Sequence, residues 1–278
     1  MTLPDLICDP AEVDRLYDAG KAVADSARHT AGWTSDSADA RARLRHLADL
    51  PYGPTAEEYL DVFPGPAGGP VHVFIHGGYW RRFSAKDFSF VAGPLVEQGH
   101  TVVVPNYALC PQVGIAEIVR QMRAALRWVV LNEAVHGGDP RRLTISGHSA
   151  GGHLVAMMLA TDWSRWRDMP SRPVQAAVAL SGIYDLAPLA WSWLQPVLQL
   201  DHHQVQQLSP ARQVRPGQPP LVLAAGGEES QAFHAQASRY AAASGALGNR
   251  VEQLSCPGRD HFTILAELPG LAERISPR

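Results

Sequence analysis

Short apolar runs alternate with helical patterns along most of the chain. The runs rich in β-branched and aromatic residues predict strands at 57–63, 71–75, 101–105, 142–146, 175–180, 220–225 and 250–255. Apolar positions at helical spacing predict helices at 115–129, 150–160, 230–243 and 263–275. Strands that alternate with helices are typical of a mainly parallel sheet covered on both faces. We therefore predict an α/β fold with a central sheet of about eight strands.

The remaining segments predict how this fold is divided. Residues 1–54 are predicted to form a helical segment, with two short helices at 11–50 that are interrupted near Gly32 and Trp33, and we assign this segment to a cap over the sheet. Residues 55–278 are predicted to be one α/β domain. The Trp-, Pro- and Gln-rich stretches near 161–173 and 186–216 follow strands and are predicted to be small cap insertions.

Composition limits the partners more than it defines the function. The chain has 278 residues and a net charge of −3, so we expect neither nucleic acid nor a membrane as a partner. Its three cysteines, Cys8, Cys110 and Cys256, form no CxxC pair, so we expect a reducing, cytoplasmic location and no structural zinc. The N-terminal residues lack the basic-then-apolar pattern of a secretion signal. The sequence leaves open whether the chain forms a homodimer.

The segment 144–154, TISGHSAGGHL, contains the pattern G-x-S-x-G between a predicted strand and a predicted helix. This context is the nucleophile elbow of α/β-hydrolases, in which a sharp turn lifts the serine hydroxyl above the sheet. Ser149 is therefore the candidate nucleophile. The N–H of Ala150 begins the helix, where negative charge is stabilised, and is a candidate oxyanion donor.

A serine nucleophile needs a base and an acid. His261 follows the last predicted strand, at the edge of the sheet where sites are built, and is the candidate base. The acid is expected after the strand at 220–225, because the chain order should be serine, acid, histidine. There Glu229, immediately before the predicted helix at 230–243, is favoured over the alternative Glu228. The weaker candidates for the acid are Asp185 and Asp260. His202 and His203 have no further ligand pattern around them, so we expect no metal.

The stretch 71–80, VHVFIHGGYW, runs from a predicted strand into two glycines that either turn the chain or present backbone N–H groups to a ligand. Together with GHSAGGHL at 147–154 and His261-Phe262, its HGGYW resembles the hormone-sensitive-lipase-like branch of α/β-hydrolases, and within it the serine-dependent arylformamidases. The resemblance covers about residues 55–265. It implies an oxyanion hole formed by Gly77, Gly78 and Ala150, and acyl transfer without a metal or organic cofactor. At position 229 this chain has glutamate where that group usually has aspartate.

The resemblance also implies a small-molecule substrate, either an N-formyl amide such as N-formylkynurenine or a small ester. Tyr79 and Trp80, beside the oxyanion hole, are expected to crowd the acyl pocket and to favour formyl or acetyl groups. His148, next to Ser149, is expected to be structural and is also a candidate substrate contact. Four tryptophans in the insertions either stack on an aromatic leaving group or pack the cap onto the sheet: Trp163, Trp166, Trp191 and Trp193.

Three functions remain in competition. The first is an arylformamidase-like amidase, and the second is a short-chain carboxylesterase that uses the same groups on esters. The third is a catalytically silent hydrolase fold that binds a ligand, against which the presence of both Ser149 and His261 argues.

Overall fold

Eight strands form one sheet in the computed structural model, which describes residues 9–276. The strands are β1 (Leu47–Pro51), β2 (Tyr59–Phe63), β3 (Gly69–Ile75), β4 (Thr101–Pro105), β5 (Gly138–His148), β6 (Ala176–Leu180), β7 (Leu221–Gly226) and β8 (Val251–Cys256). Their order across the sheet is β1-β2-β4-β3-β5-β6-β7-β8. β2 pairs antiparallel with both β1 and β4, and every other pairing is parallel. The predicted mainly parallel sheet is confirmed.

Burial along the strands shows that the sheet is covered on both faces. Every residue of β4, β6 and β7 is buried, and side chains of a strand point alternately to opposite faces, so both faces must be packed. The two edge strands, β1 and β8, are half exposed instead. The apolar runs of the central strands therefore form the core.

The helices cover this sheet and close its edges. They are α1 (Pro10–Tyr17), α2 (Ala19–Ala22), α3 (Ser26–Arg43), α4 (Ala92–Glu97), α5 (Ile115–Asn132), α6 (Ala150–Ala160), α7 (Gln195–Leu198), α8 (His202–Leu208), α9 (Gln231–Gly245) and α10 (Leu268–Ile275). The apolar stripe predicted for α5 is buried, and α6 is buried along almost its whole length against β5 and β6. Short 3₁₀ helices occupy Ala85–Asp87, Ser89–Val91, Glu133–His136, Trp163–Arg165, Ala187–Trp191, Pro210–Arg212 and Thr263–Glu267.

Two predictions for the N-terminal part are wrong. The helical segment is interrupted between α1 and α3, where Asp18 caps α2, and α3 continues through Gly32 and Trp33. Burial of Trp33 against Phe88 and other aromatic rings outweighs the helix cost of a glycine, which is about 1 kcal/mol. Residues 47–51 are not helical but form β1, because Leu50 pairs with Leu60 of β2.

The predicted closing helix at 263–275 is divided into a 3₁₀ turn and α10.

The N-terminal helices are fixed to the body of the protein by hydrogen bonds. Asp14 Oδ1 accepts from the backbone N–H of Trp193 at 2.9 Å. The carbonyl of Tyr17 accepts from the hydroxyl of Tyr79, and the carbonyl of Leu16 accepts from Ser230 Oγ. These bonds hold α1 and α2 above the carboxyl ends of the strands. None of the helices within residues 9–276 is both long enough and apolar enough to cross a membrane.

Candidate active site

The turn between β5 and α6 holds Ser149 in a strained backbone conformation. Its φ and ψ are 55° and −115°, values that a residue with a side chain adopts only where the surroundings impose them. Glycines on either side make the turn feasible, because a Cβ on Gly147 would collide with the backbone of Gly151, and one on Gly151 would collide with the carbonyl of Ile75. The N–H of Ser149 is bonded to the carbonyl of Leu180 at 2.8 Å, which fixes the turn against β6.

The structure brings Ser149, His261 and Glu229 together in one hydrogen-bonded chain. His261 Nε2 lies 3.0 Å from Ser149 Oγ, and His261 Nδ1 lies 2.8 Å from Glu229 Oε2. Each residue follows the carboxyl end of a different strand, and the side chains of His261 and Glu229 are 7% and 1% exposed. An ionised carboxylate can only accept, so Nδ1 carries the proton and Nε2 is free to accept the serine proton.

Glu229 is held as a carboxylate by its surroundings. Burial raises its pKa, but the electrostatic interaction with His261 and the hydrogen bonds from His261, Ser181 and the N–H of Gly226 outweigh burial, so the pKa lies below its ordinary value. Because all these partners are donors, they favour the charged form. Glu229 is therefore equipped to orient His261 and to stabilise its protonated form.

The other carboxylates considered from the sequence lie elsewhere. Glu228 is exposed and makes no hydrogen bond to His261 among residues 9–276. Asp260 accepts from the N–H groups of Phe262 and Thr263 at 2.8 Å each, so it shapes the loop that carries His261. Asp185 forms an ion pair with Arg212.

The backbones of Gly77, Gly78 and Ala150 lie close to Ser149. A Cβ added to Gly77 would lie 3.2 Å from the Cβ of Ser149, so the bare backbone of Gly77 lies against the serine. Gly78 has φ of +113°, which favours glycine. Within residues 9–276, no acceptor receives a hydrogen bond from the N–H of Gly77, Gly78 or Ala150. This arrangement can hold a negatively charged oxygen next to Ser149 Oγ.

His76 and Tyr107 fix the loop that carries Gly77. His76 Nδ1 donates to the carbonyl of Gly77 at 2.8 Å, and the hydroxyl of Tyr107 donates to the carbonyl of His76 at 2.8 Å. The two rings stack with centroids 4.0 Å apart. Burial lowers the pKa of His76 to about 4, so the ring stays neutral. Sequence reasoning had no signal for Tyr107, which lies after a different strand.

His148 is buried beside the candidate base. Its Nε2 lies 2.7 Å from the backbone carbonyl of His261, so Nε2 carries the proton and donates. Burial lowers the pKa of His148 to about 3, with the nearby His261 adding to this effect, so the imidazole is neutral. His148 therefore holds the backbone of His261 in place, and it also lies in the wall of the pocket described next.

A pocket of about 120 Å³ opens at Ser149, and we call it the Ser149 pocket. Its walls include Gly78 and Tyr79 from the loop after β3, Ser149, His261, and Trp193 from the segment between β6 and β7. The N-terminal segment contributes Asp18, Ala19, Gly20, Thr30 and Trp33. A larger cavity of about 700 Å³ lies on the other side of Trp33 and Phe262, which line both spaces. Sequence reasoning missed Trp33 because nothing local connects a helix near the N-terminus with this site.

Only some of the aromatic residues predicted to contact substrate line the Ser149 pocket. Tyr79 lines the Ser149 pocket, whereas Trp80 is fully buried outside it, edge-on to His153 at 5.0 Å. The expectation that Trp80 crowds the acyl pocket is therefore wrong: positive φ values of 51° and 56° at Tyr79 and Trp80 turn the Trp80 side chain into the core. Of the four insertion tryptophans, Trp193 lines the pocket, and Trp163 is buried with its Nε1 bonded to the carbonyl of Met158.

No group of three or more His, Cys, Asp or Glu side chains within residues 9–276 is arranged to hold a metal ion. His202 and His203 are exposed at the start of α8.

Comparison with known proteins agrees with this fold. Residues 64–243 match the family described as BD-FAE. The chain is 31% identical to the kynurenine formamidase of Danio rerio over 86% of this chain and 83% of the relative, and 32% identical to that of Salmo salar over 82% and 79%. The crystal structure of a putative thioesterase from Silicibacter sp. TM1040 superposes with a TM-score of 0.82 at 29% identity, covering 93% of this chain and 95% of that one. The chain belongs to the BD-FAE family of α/β-hydrolases and is a hydrolase related to the kynurenine formamidases.

Proposed function

We propose that this protein is a serine hydrolase that removes a formyl or acetyl group from aryl amines, with N-formylkynurenine as the type of substrate. The observation that carries the proposal is the hydrogen-bonded chain from Glu229 through His261 to Ser149, which ends beside three backbone N–H groups without acceptors among residues 9–276. The relatives named as kynurenine formamidases support the amide substrate.

The reaction is an acyl transfer in two halves. Ser149 Oγ attacks the carbonyl carbon, and its proton passes to Nε2 of His261. The carbonyl oxygen becomes negative and accepts hydrogen bonds from the N–H groups of Gly77, Gly78 and Ala150. When the intermediate collapses, the C–N bond breaks and His261 returns the proton to the leaving amine. A water molecule, deprotonated by His261, then releases formate and restores Ser149.

The size of the pocket supports a small acyl group. Its volume of about 120 Å³ lies well below the roughly 300–1,000 Å³ of pockets that enclose drug-sized ligands. Tyr79 is held in the wall by the bond from its hydroxyl to the carbonyl of Tyr17, so the pocket cannot widen by rotation of this ring alone.

A short-chain carboxylesterase is the second candidate. The same three side chains can cleave the C–O bond of an ester, and the similar solved structure described as a putative thioesterase supports acyl transfer from a leaving group other than an amine. The free thiols of Cys110 and Cys256 fit a reducing compartment, so the proposal places the enzyme in the cytoplasm.

Steady-state kinetics separates the two candidates. We expect kcat/KM for N-formylkynurenine to exceed that for p-nitrophenyl acetate, and p-nitrophenyl butyrate to be slower than the acetate. Negligible turnover of N-formylkynurenine together with rapid hydrolysis of both esters would reject the formamidase function and leave the esterase.

A further inference from the structure

The charged side chains in the wall of the Ser149 pocket are mostly positive. Two arginines of the loop after β3, Arg81 and Arg82, lie in its wall, and Asp18 is the one carboxylate among the lining residues. His148 in the same wall is neutral, because burial lowers its pKa to about 3. The pocket therefore carries more positive than negative charge next to the candidate nucleophile.

Asp18 does not neutralise the arginines. Its Oδ1 accepts the backbone N–H of Lys21 at 3.1 Å, and its Oδ2 lies 3.2 Å from Lys21 Nζ. Each oxygen thus already has a partner in the first turn of α2. No unpaired carboxylate remains in the wall to receive an ammonium group.

Arg81 differs from the other half-buried arginines of the protein. Within residues 9–276 its side chain forms no ion pair and no hydrogen bond, although it lies partly out of water. Comparable arginines each donate to a carboxylate, hydroxyl or carbonyl: Arg41, Arg120, Arg123, Arg212 and Arg259. Arg82 is exposed and its guanidinium lies 4.9 Å from the ring centroid of Phe83. A guanidinium that is always charged and lacks an acceptor is suited to a carboxylate from outside.

We propose that Arg81 is an anion subsite that binds a carboxylate on the leaving group of the substrate. The inference rests on the proposed function, because the acyl end must lie at Ser149 and the leaving group must then occupy the remaining wall. The substrate class is an aryl formamide or small aryl ester whose amine or alcohol half carries a free carboxylate. An ammonium group on the same half contributes little, since Asp18 is occupied by Lys21.

Matched pairs of substrates test this assignment. One pair is formanilide and 2-formamidobenzoate, and the other is phenyl acetate and 4-acetoxybenzoate. We expect the carboxylate of at least one pair to have a kcat/KM about 10- to 100-fold higher than its neutral partner, mainly through a lower KM, and this preference to weaken in 0.5 M salt. If the enzyme does not hydrolyse formamides, the ester pair still tests the subsite.

The variant Arg81→Gln should abolish that preference and leave the neutral substrates within about twofold of the unmodified enzyme, and Arg81→Lys should restore part of it. Arg82→Gln is the matched control and should keep the preference. The proposal would be overturned if Arg81→Gln lowered kcat/KM equally for charged and neutral substrates, or if Arg82→Gln also abolished the carboxylate preference. It would also be overturned if the unmodified enzyme showed no preference for either carboxylate.

Binding measured without turnover completes the test. Benzoate titrated into the Ser149→Ala protein by calorimetry should bind at least tenfold more tightly than into Ser149→Ala/Arg81→Gln, and equal binding would contradict the subsite even if no substrate is hydrolysed. Removing the α-ammonium group of N-formylkynurenine should change kcat/KM less than about threefold, whereas a loss above tenfold would show that the pocket does receive an ammonium group.

Discussion

The change Glu229→Gln removes one charge from the candidate site and alters little of its shape. Glu229 accepts from His261 Nδ1 at 2.8 Å and from the N–H of Gly226 at 2.7 Å, and Ser181 donates to the same carboxylate. A glutamine has only one acceptor oxygen for these donors, so its NH₂ group must face at least one of them. If the NH₂ group faces His261, the imidazole takes the tautomer with the proton on Nε2 and cannot accept from Ser149.

The corresponding change in a serine protease lowers kcat by about 10⁴. We expect a fall of about 10³–10⁴ here, which is about 4–5.5 kcal/mol of transition-state stabilisation at 1.36 kcal/mol per tenfold. KM should change little, because the carboxylate is 1% exposed and does not line the pocket.

The assay is kcat and KM on the best substrate, with circular dichroism and the thermal midpoint to show that the variant is folded. Glu228→Gln is the matched control, since Glu228 is exposed, and it should stay within about twofold. A folded Glu229→Gln enzyme with more than a tenth of the original kcat, or a larger loss from Glu228→Gln, would refute the assignment of the acid.

Three further predictions address the oxyanion loop, the acyl pocket and stability. Gly77→Ala should lower kcat about 10²- to 10³-fold, because the new Cβ would lie 2.7 Å from the backbone carbonyl oxygen of His148 and would displace the oxyanion loop from Ser149. Gly93→Ala, where a Cβ meets nothing within 4 Å, should leave kcat unchanged. Tyr79→Ala should raise the kcat/KM of p-nitrophenyl butyrate relative to the acetate about tenfold, since two buried methylenes contribute about 1.6 kcal/mol, and Trp80→Phe should not. The free energy of unfolding, measured by urea titration, should keep its full value above about pH 6.5. As the pH drops below about 6.5, the free energy of unfolding should decrease by about 1.4 kcal/mol per pH unit for each histidine whose pKa is depressed in the fold. Constant stability between pH 7 and 5 would contradict the neutral, buried state of His72, His76, His148 and His153.

The central strands and the elbow could be predicted because their signals are local. The apolar runs of β4, β6 and β7 are long enough to require burial on both faces, and the glycines around Ser149 belong to one short turn. His261 could be proposed because it follows the last strand of a parallel sheet. In each case the residues that decide the conformation are neighbours in sequence.

The remainder depends on contacts between distant segments. Glu228 and Glu229 are adjacent in sequence, and only the three-dimensional position of His261 distinguishes them. β1 exists because it pairs with β2, although its own pattern is weak. Trp33 reaches the pocket from a helix near the N-terminus, where no motif marks it. The division into a cap and a catalytic domain stays a prediction.

Labelling of Ser149 by a fluorophosphonate tests the central claim most directly. The account predicts one covalent adduct per chain by intact mass spectrometry, located by peptide mapping on Ser149, formed in parallel with loss of activity and absent from the folded Ser149→Ala variant. A folded protein that remains unlabelled while it hydrolyses substrate, or a label on another residue that tracks the loss of activity, would contradict it.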